Sequence, residues 1–299
     1  MTSYSALDHR TPEPCREPWR GPRNGLVPVA AKGHLCDLVQ LMGGDATSVS
    51  SQDESLEVTL WRVRQDAALL HEGTPATALY VLYVLRSGSL KCVKTLEDGY
   101  EQVLSFAQPG ELLGFEALYC GHQPATVVAL EDATAYALPV AQLPTLRHQC
   151  PALDKALQLA LSRQLVRAAD TAEMMAAVAS DARLARFLLW MSARMAELGR
   201  SPRRLLLRMG RRDIASLLGV AHETVSRSFT TLADGGYIRV DNREVDIIDP
   251  VRLKARARNT RGTLECAVSR DERRQPVTAS SSLQAAWFSG LERASPAPL

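Results

Sequence analysis

Apolar positions along the chain change their period twice. From Val58 to Val140 they come in short β-rich runs, Leu79–Leu85, Ser89–Leu96, Gln102–Phe106, Thr126–Leu130 and Thr134–Val140, punctuated by Gly88, Gly99, Gly110, Gly114 and Gly121. Short strands at near-regular spacing with turn signals between them predict an all-β sandwich, roll or barrel. After Pro151 the pattern turns helical, and a stretch dense in Leu, Ala and Met continues to about Leu198, long enough for two or more helices. Within it Leu161, Leu165, Ala168, Ala172, Met175, Ala179 and Ala182 recur at alternating intervals of four and three, the seam of a coiled coil. Arg163, Arg167, Asp170 and Glu173 keep the flanking faces polar, which favours a helix paired with a second copy over one lying on its own β-domain. Small alanines let two helices approach closely but bury little area each, so the expected dimer is of modest strength.

The third pattern is short helix, glycine, short helix. Ile214, Leu217 and Leu218 give Arg211–Gly219 an apolar face ending at a glycine. After Val220 and Ala221 a second helix runs from His222 to Leu232, with Val225, Phe229 and Leu232 as its buried stripe. Two short helices about a glycine-containing turn are the signature of a helix-turn-helix. Tyr237–Val240 and Glu244–Ile248 flank Asp241-Asn242-Arg243 as a hairpin, the wing of such a unit. Glu223, Ser226 and Arg227 stand at i, i+3 and i+4 and so share one face of the second helix, opposite the buried stripe. Arginine can donate twice to guanine O6 and N7, glutamate can accept from the cytosine amino group, and a serine hydroxyl can meet either kind of edge. A carboxylate four residues before an arginine is also expected to hold the guanidinium in place. Arg203, Arg204, Arg208, Arg211, Arg212, Arg239 and Arg243 lie nearby as candidates for phosphate contacts, which give affinity without sequence information.

Charge sharpens this picture. The net charge of +2 hides a polarity, because residues 1–150 hold 11 basic and 17 acidic side chains while residues 202–261 hold 13 basic and 7 acidic. A basic module joined to an acidic half points to nucleic acid as the partner of one end only. At 299 residues, with hydrophobic residues at 46% and charged ones at 23%, the chain has the composition of a globular protein of about two domains. Residues 1–50 are rich in Pro, Gly and Ser, which predicts irregular structure with a short helix near Leu35–Met42 and order beginning near Leu56. The first 30 residues contain five prolines and no continuous apolar core, and no apolar run approaches bilayer length, so neither a signal peptide nor a membrane span is expected. Six cysteines without a C-x-x-C pair predict reduced thiols in a cytosol.

These residues resemble the CRP/FNR family of bacterial transcription regulators, and its FNR branch in particular. Ser201-Pro202-Arg203, Met209, Arg212-Asp213-Ile214, Leu218-Gly219, Glu223-Thr224-Val225-Ser226-Arg227 and Gly236 are similar to that family's DNA-binding domain. Arg86-Ser87-Gly88, Gly99-Tyr100-Glu101-Gln102, Gly110-Glu111-Leu112-Leu113-Gly114-Phe115-Glu116 and Cys120-Gly121-His122 are similar to its sensor domain. The resemblance covers residues 55–253 and implies an α+β architecture: an N-terminal β-roll of the cyclic-nucleotide-binding kind, a long central dimerisation helix and a C-terminal winged helix-turn-helix. The layout expected is an irregular extension over 1–54, the β-roll sensor over 55–148, the dimerisation helix over 149–182, the DNA-binding domain over 183–253 and a flexible tail over 254–299 with an isolated Trp287 and Phe288. A cytoplasmic homodimer is implied, acting with RNA polymerase on palindromic double-stranded DNA with TTGAT-type half-sites, read through Glu223, Thr224, Ser226 and Arg227. His222 departs from the pattern, which has a small apolar residue or an arginine there, and leaves the outermost base of the half-site open.

The sensor departs further. Cyclic-AMP-binding members place an Arg-Ser pair just after the Gly-Glu-Leu loop, where this chain reads Gly121-His122-Gln123-Pro124-Ala125-Thr126, so cAMP is not expected. Oxygen-sensing members hold a [4Fe–4S] cluster with three clustered N-terminal cysteines and a fourth in a late strand. Leu35-Cys36 is similar to the last of the three, but Val27, Ala30 and the region of Tyr136 stand where the others would be, and a conventional cluster is not expected. The remaining routes are a haem with His34, His71 or His122 as axial ligand, a thiol switch at Cys36 or Cys120, or no signal beyond protein abundance. An enzymatic, cupin-like metal site would need several histidines converging in the strands, and His71, His122 and His148 are dispersed without an H-x-H pair, so no metal site and no catalysis are expected. An adaptor that uses the helix-turn-helix only for protein contacts is opposed by the arginine surplus.

Overall fold

The computed structural model describes residues 26–45, 49, 57–77 and 80–258. Two antiparallel sheets form the N-terminal half. The first has five strands in the order β1 (Leu26–His34), β2 (Glu57–Val63), β9 (Ala133–Pro139), β4 (Val81–Ser87) and β7 (Leu112–Leu113). The second has four, β3 (Ala68–Leu70), β8 (Thr126–Ala129), β5 (Leu90–Thr95) and β6 (Glu101–Ala107). Strand β8 alternates between half-buried and buried positions, as a strand with one covered face should, whereas β4 buries Leu82 through Leu85 without a break. Both faces of β4 are covered, because α1 (Leu35–Leu41) and the N-terminal half of α4 (Pro151–Met175) bring Leu35, Leu38, Val39, Leu153, Ala156 and Leu157 into the same core.

The N-terminal region is therefore more ordered than its composition predicts. The short helix is present, but β1 precedes it and pairs with β2, with Gly33 opposite Val58 and His34 opposite Glu57. Gly33 is needed for close approach: a Cβ there would lie 2.1 Å from Cε1 of Tyr136, whose ring is fully buried. Composition misleads here because a prolines-and-glycines segment can still add an edge strand if one neighbour supplies the ladder.

The connecting helix is shorter than the predicted 149–182. Helix α4 ends at Met175, and α5 (Ser180–Glu197) begins after a break in which Ala179 is the N-cap. Arg183 Nε donates to the Ala177 carbonyl at 2.6 Å and holds the break closed. Ala182, in the first turn of α5, is fully buried rather than on an open seam. Leu161 is half-buried against the β-roll core, so the apolar residues that α4 turns outward are Leu159, Leu165, Val166, Ala168, Ala169, Ala172 and Met175. Four positions of the predicted seam, Leu165, Ala168, Ala172 and Met175, are thus among the exposed ones, while two arginines of the flanking faces turn inward. Arg163 donates to the Met42 carbonyl, and Arg167 pairs with Glu111 at 2.9 Å.

The C-terminal domain packs α5 against α6 (Arg211–Leu218), α7 (His222–Asp234) and α8 (Pro250–Ala257), with a small sheet of β10 (Arg204–Leu206), β12 (Glu244–Ile247) and β11 (Ile238–Asp241). Helix α8 extends the domain past the expected end at residue 253. Asp249 Oδ1 caps it by accepting from the amides of Val251 and Arg252 at 3.1 and 2.9 Å, and Leu253 and Ala257 are buried. Cys15, Cys266, Trp287, Phe288 and residues 259–299 of the expected tail lie outside the described residues. No described helix is long and apolar enough to cross a membrane.

Candidate nucleic-acid interface

Helix α6 ends at Gly219, whose φ of 62° places it in the left-handed region that favours glycine and lets the chain turn directly into α7. Val225, Phe229 and Leu232 anchor α7 in the C-terminal core, as its periodicity predicts. That anchoring turns the opposite face outward: His222, Glu223 and Arg227 are exposed, and Thr224 and Ser226 are half-buried. The Ser226 hydroxyl donates to the His222 carbonyl at 3.2 Å, which leaves its lone pairs free to accept.

The expected pairing of Glu223 with Arg227 is not formed. Glu223 Oε1 has instead His222 Nδ1 4.0 Å away, and Arg227 makes no ion pair with a described residue. Both side chains protrude into water, where an i,i+4 pair gains little over solvation. The acidic and basic groups of the reading face are thus each unpaired by the other and available to a ligand.

Basic residues surround this helix, but their environments differ. Arg212 is exposed in the first turn of α6, Arg239 is exposed on β11, and Arg243 is exposed in the wing turn, where Nη1 lies 3.4 Å from the Arg208 carbonyl. Asn242, beside it, takes a left-handed φ of 53°. Arg211 is different: its guanidinium lies 3.3 Å from the centroid of the Phe229 ring, it is half-buried, and burial lowers its pKa from the usual arginine range. Its place in the sequence suggests a phosphate contact, but its geometry makes it first a clamp that joins α6 to α7. Arg204 and Arg208 also have partners, Asp246 at 3.4 Å and Glu131 at 3.0 Å.

How the β-roll holds this domain is not legible in the local sequence pattern. The Val103 amide donates to Ser216 Oγ at 2.8 Å, the Ser216 hydroxyl donates to the Glu101 carbonyl at 3.2 Å, and Gln102 Nε2 donates to the Ser216 carbonyl. Lys91 Nζ pairs with Asp213 Oδ1 at 2.7 Å, and Val93, Val103 and Phe106 enter the C-terminal core. Glu111, only 8% exposed, takes Arg167 of α4 and Arg194 of α5 on the same oxygen. Arg194 also donates to the Phe106 carbonyl at 3.0 Å and stacks on Trp190, and burial pushes its pKa down to about 10. One buried carboxylate thus joins β-roll, connecting helix and DNA-binding domain. The only sequence signal was the charge of Glu111 inside an otherwise apolar loop.

Polar side chains around the sensor loop of the β-roll are engaged within the protein itself. Gln123, within the stretch that stands in place of the Arg-Ser pair, is buried and hydrogen-bonded: Tyr80 Oη donates to its Oε1 at 2.6 Å and its Nε2 donates to the Ala125 carbonyl at 2.8 Å. Glu111 of the same loop is likewise engaged, by Arg167 and Arg194. Cys36 is half-buried near the Tyr136 ring, and no group of three or more His, Cys, Asp or Glu side chains placed to hold a metal occurs among the described residues. Cys120 is exposed, and burial pushes the Cys92 thiol up to about 11. His34, His71 and His122 are all exposed.

Comparison with known proteins agrees with this geometry. Residues 60–150 match the model of the cyclic nucleotide-binding domain and residues 182–256 that of the Crp-like helix-turn-helix domain. The transcriptional regulatory protein btr of Bordetella pertussis is 34% identical over 222 residues, 74% of this chain and 89% of that protein. The transcriptional activator protein Anr of Pseudomonas protegens is 34% identical, over 59% of this chain and 72% of its own length. The fumarate and nitrate reduction regulatory protein of Salmonella typhimurium is 33% identical, over 60% and 72%. Among solved structures, FixK2 from Bradyrhizobium japonicum superposes with a TM-score of 0.58 at 26% identity, covering 69% of this chain and all of that one. With both domain models matched in this order and a relative aligned over nearly its whole length, the chain belongs to the CRP/FNR family of DNA-binding transcription regulators.

Proposed function

We propose that the protein acts as a homodimer on an inverted repeat with TTGAT-type half-sites, each read by one α7 from the major groove. The observation that carries this reading is the exposure of Glu223 and Arg227 beside Ser226 on a helix whose other face is locked into the core. Arg227 then donates to guanine and Glu223 accepts from the cytosine paired to a neighbouring base. His222 reaches toward the end of the half-site and replaces the usual contact to its outermost base. Arg212, Arg239 and Arg243 supply phosphate contacts. The outward stripe of α4 supports pairing of two chains, which sets two recognition helices about one DNA turn apart. RNA polymerase is the further partner of the promoter-bound dimer, and the chain acts by binding rather than catalysis, in the cytoplasm.

Control enters through the β-roll and reaches the DNA-binding domain through Glu111 and the Ser216 contacts, as a coupling free energy of about 1–3 kcal/mol. The occupied Gln123 and Glu111 argue against cAMP, and the dispersed cysteines against a conventional cluster. The direct test is titration of the protein on a duplex with two TTGAT half-sites and on one with the guanine of each half-site replaced. The reading expects at least tenfold weaker binding on the second, and equal affinity for both rejects it. A visible spectrum of anaerobically purified protein, colourless for thiols and coloured for haem or cluster, separates the remaining signals.

A further inference from the structure

Helix α2 (Ala117–Cys120) carries two apolar side chains that the described residues leave open: Tyr119 is 96% exposed and Leu118 40%. A tyrosine can bury about 150–250 Å², and one left almost wholly in water beside an exposed leucine marks a contact surface. The position of α2 says what covers it. Glu116, immediately before α2, lines one cleft of about 330 Å³ together with Gln164, Ala168 and Thr171 of α4. Gln164 Nε2 donates to the Leu112 carbonyl of β7 at 2.6 Å, and the next two residues of α4, Leu165 and Val166, are 75% and 62% exposed. The start of α2 and the middle of α4 are therefore neighbours across one cleft, next to a helix–strand contact.

We propose that α2 is a second part of the dimer interface, with Leu118 and Tyr119 of each protomer packed across the two-fold axis on the α4 stripe of a second copy. This rests on the homodimer reading above. Area favours that occupant: beyond Leu159, Leu165 and Val166 the stripe is mainly alanine, whereas a stable interface buries about 1,200–2,000 Å². By two-fold symmetry each aromatic counts twice. Charge also permits it, because Arg163 and Arg167 of α4 turn inward to Met42 and Glu111 and leave no cation on the stripe. The contact ties the β-roll loop of one chain to the connecting helix of the other.

Sedimentation of the full chain and of Tyr119→Ala tests this. The expected result is a dimer whose dissociation constant rises about tenfold or more in the variant, as for loss of an interface aromatic, with unchanged circular dichroism. A dimeric parent with an unaltered constant in Tyr119→Ala overturns the α2 contact alone, while a monomeric parent overturns the homodimer reading and this inference with it. Benzoylphenylalanine at position 119 gives an independent readout. Photo-crosslinking to the α4 peptide of a second copy supports the contact, and crosslinking elsewhere, or none in a dimeric sample, overturns it.

Discussion

Two arginines separated by sixteen residues illustrate why a side chain's role depends on what its neighbours leave it to do. Arg227 projects freely from α7, so Arg227→Ala should cost about 1–3 kcal/mol on the specific duplex through loss of a guanine contact. Binding to random duplex should hardly change, and a competition titration on both measures the difference. Arg211 lies flat on Phe229, and its loss removes a contact worth about 0.5–2 kcal/mol at a partly desolvated site. Arg211→Ala should therefore lower the melting temperature of the free protein, which calorimetry reads directly. An unchanged melting temperature together with a reduced salt slope would restore Arg211 to the phosphate-binding set.

Single elements are set by local rules and then adjusted by what packs on them. Gly219 ends α6 in a left-handed conformation, and Gly219→Ala should destabilise by about 1–2 kcal/mol without altering the reading face. Denaturant titration gives the loss in stability, and affinity corrected for folded fraction should stay constant. The hairpin strands, the two short helices and the five central strands were all legible from period and glycine placement. Element ends were less so. The seam from Leu161 to Ala182 ran across a helix break because a repeat of four and three is satisfied equally by one helix or by two whose phases happen to agree. The break depends on Arg183 reaching back to Ala177, an interaction with no local sequence signature.

Across the whole molecule, the two domains are joined by polar groups withdrawn from water. Glu111 is the carboxylate that pairs with both Arg167 and Arg194, so Glu111→Gln leaves the buried Arg194 guanidinium without its ion-pair partner. The expected loss is about 3–5 kcal/mol, measured by urea unfolding, and the further replacement Arg194→Met should cost less than it does alone. Alkaline pH should loosen the β-roll for a separate reason. Burial raises the Cys92 thiol from 9.0 to about 11 and the Tyr83 hydroxyl from 10.0 to about 12. Both groups stay protonated in the folded state where the unfolded chain has already ionised. Their contribution is complete below pH 9, declines from there, and is lost by about pH 12. Melting temperatures across that range should fall, and Tyr83→Phe should flatten the upper part of the decline.

The amino-acid order by itself determined the β-roll strands, the helix-turn-helix and the face on which Glu223, Ser226 and Arg227 stand, because all three follow from period, turn chemistry and side-chain type within a few residues. Only the tertiary structure decided that Leu26–His34 is a strand, that α4 stops at Met175, that Arg211 is a clamp and that Glu111 joins three elements. Each of those depends on a partner tens of residues away. Desolvation and packing at such long-range contacts choose among local conformations that the chain alone leaves nearly equal in free energy.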